Sequence, residues 1–242
     1  DMKVQPSKPG VEAKLLFSAL PSENAAEIEP VMAEAGYVIS SNAKTYRTAD
    51  DVPLILPEVN AEHLPLVREQ AKRGWKGFIV TNANCVAIPL TMALKPLHDA
   101  VGVAQVFVVS MQAISGAGYP GVASLDIVDN VVPFIGGEEP KIEAEPLKML
   151  GRLGETAIDH APITISAQAN RVASRDGHML CVSVKLGRDL TPADAMELLR
   201  AYRGRPQQLN LPSAAPQPIV VRTEDDRPQP YRDRDASEGM AV

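Results

Sequence analysis

Cys85 is the residue of this chain best placed to act as a nucleophile. It ends a short β-rich segment, Gly77 to Asn84, and an apolar run of helical length, Val86 to Leu97, follows it directly. The first N–H groups of a helix are unpaired and carry partial positive charge, which favours the thiolate form of a neighbouring thiol. Free cysteine is also among the most often buried residue types, so a small buried hydrophobic residue is the structural alternative.

His178 is the second candidate for chemistry. It follows Asp176-Gly177, the strongest short hairpin signal in the chain, and precedes an alternating segment, Met179 to Leu186, that predicts a strand. With a two-residue turn, Arg175 pairs with His178, and Arg171 shares a face of the sheet with His178. This pattern predicts an imidazole and a guanidinium side by side.

The first third of the chain alternates strands and helices. This rhythm predicts a parallel sheet with right-handed crossovers. The predicted elements are a strand at Leu15 to Leu20, a helix at Glu23 to Gly36, a strand at Tyr37 to Ser40, a helix at Ala61 to Arg73 and a strand at Phe78 to Thr81.

From about Val103 the pattern becomes that of an α+β domain built on a mixed sheet. One helix is well marked, with Thr191 as N-cap and Pro192 in the first helical position. Arg222 to Gly239 is charged and proline-bearing, which predicts a solvated connection with little structure. The predicted strands are Val103 to Met111, Ala161 to Ser166, Met179 to Leu186 and Pro218 to Arg222.

Composition fits a cytoplasmic enzyme. The 242 residues carry a formal net charge of −6, which argues against nucleic acid or an anionic membrane as a partner. The two cysteines have neither disulfide-framework nor zinc-site spacing, so we predict no metal site and a reducing compartment. No basic, apolar leader opens the chain, and no apolar run approaches a membrane span.

Several segments, in order along the chain, resemble the aspartate-semialdehyde dehydrogenase family, particularly its archaeal and fungal branch. The resemblance implies an α/β fold with a partial Rossmann-type NADP-binding domain at 1–84, an α+β catalytic and dimerisation domain with a mixed sheet at 85–222, and a return segment at 223–242. The matching segments are Phe17 to Ser22, Val52 to Asn60, Thr81 to Cys85, Ser110 to Gly121 and Ile135 to Glu139.

The same resemblance implies that both ends of the family's chain are missing. The family begins with a glycine-rich loop that cradles the cofactor's pyrophosphate, but no G-x-G-x-x-G opens a helix near Asp1 to Gly10. Gly116 to Gly121 fits that fingerprint as text, yet Pro120 makes a phosphate-binding helix start there awkward, and a structural turn is the alternative. We therefore expect a fragment that binds NADPH weakly and turns over little.

The resemblance assigns site residues position by position. Cys85 is the nucleophile, His178 the acid/base, Arg171 the partner of the substrate carboxylate, and Gln112 an orienting amide. Glu145 faces the substrate amino group, with Glu143 as an alternative, while Lys148 and Arg47 bind phosphate. The residues implied to contact NADP are Ser18, Ala19, Leu20, Ser115, Gly116, Ala117 and Gly118.

The implied activity is NADP-dependent reductive dephosphorylation of 4-phospho-L-aspartate to L-aspartate 4-semialdehyde. It proceeds through a cysteine thioester and belongs to lysine, threonine, methionine and isoleucine biosynthesis. The implied assembly is a homodimer or homotetramer. Two alternatives stay open, namely malonyl-CoA reductase and a catalytically silent dimerising fragment.

Overall fold

A computed structural model describes residues 4–242, and residues 1–3 of the predicted NADP-binding segment lie outside the described part. The chain forms two compact units. The first contains residues 4–56, 60–83 and 151–160, and the second contains 57–59, 84–150 and 161–242. Residues 223–242, predicted to return toward the first domain, pack within the second unit.

The elements follow one another along the chain as a series of short strands and helices. The strands are β1 (Leu15–Ser18), β2 (Val38–Ser41), β3 (Phe78–Thr81), β4 (Val103–Gln112), β5 (Arg152–Leu153), β6 (Ile158–Asp159), β7 (Thr164–Arg171) and β8 (Met179–Leu186). The α-helices are α1 (Ser22–Glu34), α2 (Pro57–Asn60), α3 (Ala87–Val101), α4 (Ser124–Ile127), α5 (Glu139–Met149), α6 (Pro192–Ala201), α7 (Arg205–Gln208) and α8 (Pro230–Asp233). Segments of 3₁₀ helix lie at Ala61–Arg73, Ile114–Ala117 and Ala236–Gly239.

The first unit is built on a parallel sheet in the order β1-β2-β3, which confirms the predicted rhythm. Ile39 and Ile79 face each other across β2 and β3 and are almost fully buried. They pack with Met32 and Ala33 of α1 and with Val52 to form the core. The segment predicted as a helix at Ala61 to Arg73 is 3₁₀-helical over those residues.

The second unit contains a mixed sheet in the order β7-β4-β8. The central strand β4 runs parallel to β7 and antiparallel to β8. This confirms the predicted mixed sheet. The Thr191 cap also forms, because its side chain accepts the backbone N–H of Asp194 at 3.2 Å and α6 begins at Pro192.

Three local predictions are wrong. The hairpin through Asp176-Gly177 does not form, because β4 lies between β7 and β8 and pairs with both. No strand covers Pro218 to Arg222; instead Val220 donates its N–H to the carbonyl of Val242 at 2.7 Å, and Val242 donates to the carbonyl of Pro218. The strand predicted from Ala161 begins at Thr164 and continues to Arg171.

The segment from Arg222 to Gly239 also differs from its prediction. It contains α8 and a 3₁₀ turn, and Arg222 and Arg227 both lie within ion-pair distance of Asp233. Within residues 4–242, no helix has both the length and the apolar character that crossing a membrane requires.

Candidate active site

Asn84 organises the turn that presents Cys85. Its side-chain oxygen accepts the backbone N–H groups of Val86 at 2.9 Å and Ala87 at 3.2 Å, as an N-capping residue does. Its own backbone N–H is donated to the carboxylate of Glu145 at 2.5 Å. Asn84, the residue before Cys85, is therefore held through both its side chain and its backbone, and α3 starts two residues after Cys85.

Cys85 and His178 form a contact pair. The Sγ of Cys85 lies 3.3 Å from Nε2 of His178. On the other side of the ring, Nδ1 accepts the backbone N–H of Ala113 at 3.0 Å. Because Nδ1 is the acceptor, the single proton of the neutral ring lies on Nε2 and points toward the sulfur. His178 is thus held as a hydrogen-bond donor to Cys85.

The electrostatics of this pair differ from the expectation drawn from the helix start. Burial raises the pKa of the Cys85 thiol, and the carboxylate of Glu138 raises it further. The thiol's own backbone N–H, Lys141 and Arg171 act in the opposite direction without cancelling the rise. Desolvation by the surrounding protein is the largest of these influences on the thiol.

The pKa of His178 is lowered, whereas that of Cys85 is raised. Burial lowers the pKa of the imidazole, and the positive charge of Arg171 lowers it further, while Glu138 partly opposes them. An imidazolium would also turn an N–H toward the N–H of Ala113, which is repulsive. Both effects keep His178 neutral and keep its proton on Nε2.

The backbone of Ala113 contacts the side chains of both Arg171 and His178. The Nη1 of Arg171 donates to the carbonyl of Ala113 at 2.7 Å, so one peptide residue contacts both side chains. A Cβ at Gly116 would lie 2.9 Å from both Nη1 of Arg171 and Cε1 of His178. A residue with a side chain at position 116 would therefore collide with Arg171 and His178, so glycine is required there. The predicted neighbourhood of Arg171 and His178 is present, although the predicted hairpin is not.

Gln112 lies at the end of β4, directly opposite Arg171 at the end of β7. Its side chain is almost fully buried, contacts the hydroxyl of Ser110 at 3.3 Å and hydrogen-bonds to Glu138. The ends of two parallel strands therefore present an amide and a guanidinium together at one edge of the sheet.

Glu145 and Lys148, the pair implied by the resemblance, are buried on α5. They are 5% and 4% exposed, and Glu145 accepts the backbone N–H of Asn84. The alternative, Glu143, accepts the backbone N–H of Ala167 on β7 at 3.1 Å. Glu145 therefore contacts the turn that contains Cys85, and Glu143 contacts the sheet.

A second glutamate–lysine pair with the same spacing, Glu138 and Lys141, was missed in the sequence. Its partners contact each other at 2.5 Å, and Glu138 also accepts the side-chain amide of Asn84 at 2.9 Å. Burial opposes ionisation of Glu138, but Lys141, Asn84 and Gln112 outweigh it and lower the pKa of the carboxyl. Both members of this pair act electrostatically on Cys85. The repeated spacing of three was the signal that could have found them.

A cavity of about 570 Å³ opens beside Cys85 and His178. Cys85, Ser115 and His178 line one part of it, and residues from Pro228 to Arg234 line another. Its walls include apolar side chains of α3 and β8 such as Leu90 and Val182. A ligand of small-molecule size can therefore reach the sulfur.

Arg47 and the Ser18 to Leu20 segment belong to the first unit. Arg47 is 8% exposed and donates to the carbonyl of Asn42 at 2.9 Å. Ser18, Ala19 and Leu20 line a separate cavity of about 280 Å³ at the carboxyl end of β1. The Oγ of Ser18 is buried there and has no hydrogen-bond partner among residues 4–242. A buried orphan hydroxyl at the end of a parallel strand fits a polar ligand.

Family models cover most of the chain. Residues 94–242 match the model described as "Semialdehyde dehydrogenase, dimerisation domain". Residues 1–66 match the model described as "Semialdehyde dehydrogenase, NAD binding domain". The two matches follow the order predicted from the sequence motifs.

Individual relatives agree with these models. The chain is 51% identical to an aspartate-semialdehyde dehydrogenase of Archaeoglobus fulgidus, over all of this chain and 70% of that protein. It is 37% identical to a malonyl CoA reductase (NADP) of Metallosphaera sedula, again over the whole chain and 70% of that protein. The crystal structure of aspartate semialdehyde dehydrogenase with NADP from Candida albicans matches with a TM-score of 0.90 and 38% identity, covering 99% of this chain and 71% of that one.

Proposed function

The chain belongs to the aspartate-semialdehyde dehydrogenase family, and on that premise we propose that it catalyses the NADP-dependent reductive dephosphorylation of 4-phospho-L-aspartate to L-aspartate 4-semialdehyde. This reaction belongs to the biosynthesis of lysine, threonine, methionine and isoleucine. The observation that carries the proposal is the contact of 3.3 Å between Cys85 Sγ and His178 Nε2, beside Arg171.

Cys85 acts as the nucleophile. Its thiolate attacks the acyl carbon of the substrate, the bond from that carbon to the phosphate oxygen breaks, phosphate leaves, and a thioester on Cys85 remains. The Nε2–H of His178 stabilises the thiolate before attack, since it points at the sulfur. The raised pKa of Cys85 in the ligand-free protein makes this donor important.

Opposite charges near Cys85 suit an amino acid substrate. Arg171 binds the α-carboxylate with its planar fork, and Gln112 orients the substrate from the neighbouring strand end. Glu145 was predicted to bind the ammonium group, but Glu138 is better supported because its charge acts on both Cys85 and His178. Lys141, with the predicted Lys148 and Arg47, is the matching candidate for the phosphate.

The residues present fit part of a dinucleotide site. Ser18, Ala19 and Leu20, with the orphan hydroxyl of Ser18, and the loop Ser115 to Gly118 would hold NADPH. When bound, NADPH supplies the hydride that reduces the thioester. Gly116 leaves the space above Arg171 and His178 that a side chain would fill.

Acylation of Cys85 tests the proposal without requiring the cofactor. The chain is mixed with 4-phospho-L-aspartate and the adduct is located by mass spectrometry. We expect acylation of Cys85 in the wild type and in Cys181→Ser, and none in Cys85→Ser. Acylation by malonyl-CoA alone would support the reductase alternative, and no adduct with either compound would support the silent-fragment alternative.

We also propose that the second unit forms a homodimer, or a homotetramer built from such dimers. One face of its sheet carries Phe107, 61% exposed, between Gln105 and Val109 on β4. Exposed apolar side chains on a sheet face favour association with another surface. Sedimentation should give a dimer or tetramer, and Phe107→Lys should shift it toward monomer. The free thiols of Cys85 and Cys181 support a reducing compartment such as the cytoplasm.

A further inference from the structure

The segment Arg227–Arg234, which we call the clasp, closes on the side chain of Asp233. Arg227 donates to both carboxylate oxygens of Asp233, from Nε at 2.7 Å and from Nη2. The backbone N–H of Gln229 donates to the same carboxylate at 2.6 Å, and Nε of Arg222 lies 3.9 Å from it. Asp233 thus joins the two ends of the clasp and ties it to Arg222.

The clasp packs directly on the turn that precedes His178. A Cβ at Gly177 would lie 3.3 Å from the Cβ atoms of both Pro230 and Arg234. The Nη1 of Arg234 also donates to the carbonyl of Asp176 at 3.4 Å. The turn Asp176-Gly177 therefore has contacts with the clasp along its length.

The same segment forms a wall of the cavity beside Cys85. Pro228, Gln229, Pro230, Asp233 and Arg234 line this cavity together with Cys85 and His178. The clasp therefore contacts the turn that leads into His178 and borders the cavity that His178 lines. None of its residues carries a role in the chemistry proposed above.

From these contacts we propose that Asp233 is a positioning residue for the reaction, because it locks the clasp that holds His178 beside Cys85. The inference rests on the proposed function for its catalytic consequence. The position and burial of His178 can be measured independently of any substrate, so the failure of one claim is distinguishable from the failure of the other.

The test is the titration of His178 by NMR in the full chain, with its signal assigned from His178→Asn. The charged or titratable groups around the ring are Cys85, Glu138 and Arg171, with Asp176, Asp233 and Arg234 at the turn and in the clasp. Loss of a negative charge in Asp233→Asn would by itself lower the pKa of His178. A loosened clasp exposes the ring and raises the pKa toward its ordinary value.

We expect the pKa of His178 to rise in Asp233→Asn and to return toward the wild-type value in Asp233→Glu. Asp235→Asn is the matched control, since it removes the same charge from an exposed residue two positions on that makes no cap contact. Acylation of Cys85 should slow about 10-fold or more in Asp233→Asn and not in Asp235→Asn. An identical His178 titration in the two asparagine variants would overturn the proposal.

Pro230→Gly covers the case in which Asp233→Asn does not fold, as judged by thermal melting. It removes the carbon that lies over Gly177 without changing charge. We expect the same upward change in the pKa of His178, smaller than in Asp233→Asn. A wild-type titration in Pro230→Gly, or loss of fold in both variants, would show that the clasp contributes stability only and would reject the inference.

Discussion

The two glutamate–lysine pairs around α5 have the same residue types and spacing but different surroundings. Glu138 and Lys141 are paired with each other, remain partly exposed and act on Cys85. Glu145 and Lys148, seven positions further on, are buried, and Glu145 anchors the backbone of Asn84. Identical sequence patterns therefore occur in different surroundings: one pair acts electrostatically on Cys85, and the other contacts the backbone of the residue before it.

The largest expected effect separates the two glutamates by substrate affinity. Glu138→Gln removes a carboxylate from the surroundings of Cys85, so KM for the amino acid substrate should rise about 100-fold, as expected for loss of a charge-assisted hydrogen bond. Glu145→Gln should change KM much less. Steady-state kinetics with the semialdehyde, in a chain that turns over, measures both. A larger KM effect in Glu145→Gln would restore the original assignment.

The second effect reverses this order and concerns stability. Glu145 is 5% exposed and accepts a backbone N–H, so Glu145→Gln should lower the free energy of unfolding by about 1 kcal/mol. The melting temperature should fall by about 3 °C in a chain of this size. Glu138→Gln should lower the melting temperature less, because the side chains of Glu138 and Lys141 are partly exposed to water and the glutamine oxygen can still accept from Asn84. Differential scanning calorimetry measures both melting temperatures. Equal melting temperatures for the two variants would contradict the proposed difference between the pairs.

A smaller effect appears in the reactivity of the thiol. The charge of Glu138 raises the pKa of Cys85, so Glu138→Gln lowers that pKa and increases the thiolate fraction at neutral pH. Alkylation of Cys85 by iodoacetamide should become severalfold faster near pH 7, and the difference should vanish at alkaline pH where the thiol is ionised in both proteins. Mass spectrometry separates Cys85 from Cys181. Unchanged rates would show that Glu138 does not act on the sulfur.

The smallest effect compares the two lysines. Lys141 lowers the pKa of Cys85. Its effect on that pKa is smaller than the effects of burial, of Glu138 and of the backbone N–H of Cys85. Lys141→Met should therefore slow alkylation of Cys85 slightly near neutral pH. Lys148→Met is the matched control and should leave the rate unchanged. If Lys148→Met had the larger effect, the second pair would be the one that acts on the nucleophile.

The candidate site residues were predicted from the sequence where local signals mark them. Cys85 was predicted from the change from strand to helix, and in the structure Asn84 caps this turn. From the sequence, Glu143 and Glu145 are the alternatives for the ammonium partner, and Glu138 is not among them. Spacing alone does not separate the pairs, because they share the same interval of three residues and lie seven residues, about two helical turns, apart. The structure distinguishes them, because Glu145 accepts the backbone N–H of Asn84 whereas Glu138 accepts its side-chain amide and pairs with Lys141.

Strand pairing and the clasp were harder to predict for different reasons. Alternation in β8 identified the strand and its bounds but not its partner, which is β4, about seventy residues earlier in the chain. The charges between Arg222 and Gly239 suggested solvation. Some of them are instead paired, as in the contact of Arg227 with Asp233, and composition does not reveal such pairing.

Ala113 contributes to this site through its main chain alone. Its N–H holds the imidazole of His178 and its carbonyl holds the guanidinium of Arg171, while its methyl group is fully buried. Conventional alanine scanning therefore cannot detect the contribution of Ala113, since the scan replaces only the atoms beyond the Cβ. Replacing the amide N–H of Ala113 by an ester oxygen would delete the contact to Nδ1 and leave every side chain in place. Such a backbone edit would free the imidazole to exchange its tautomers.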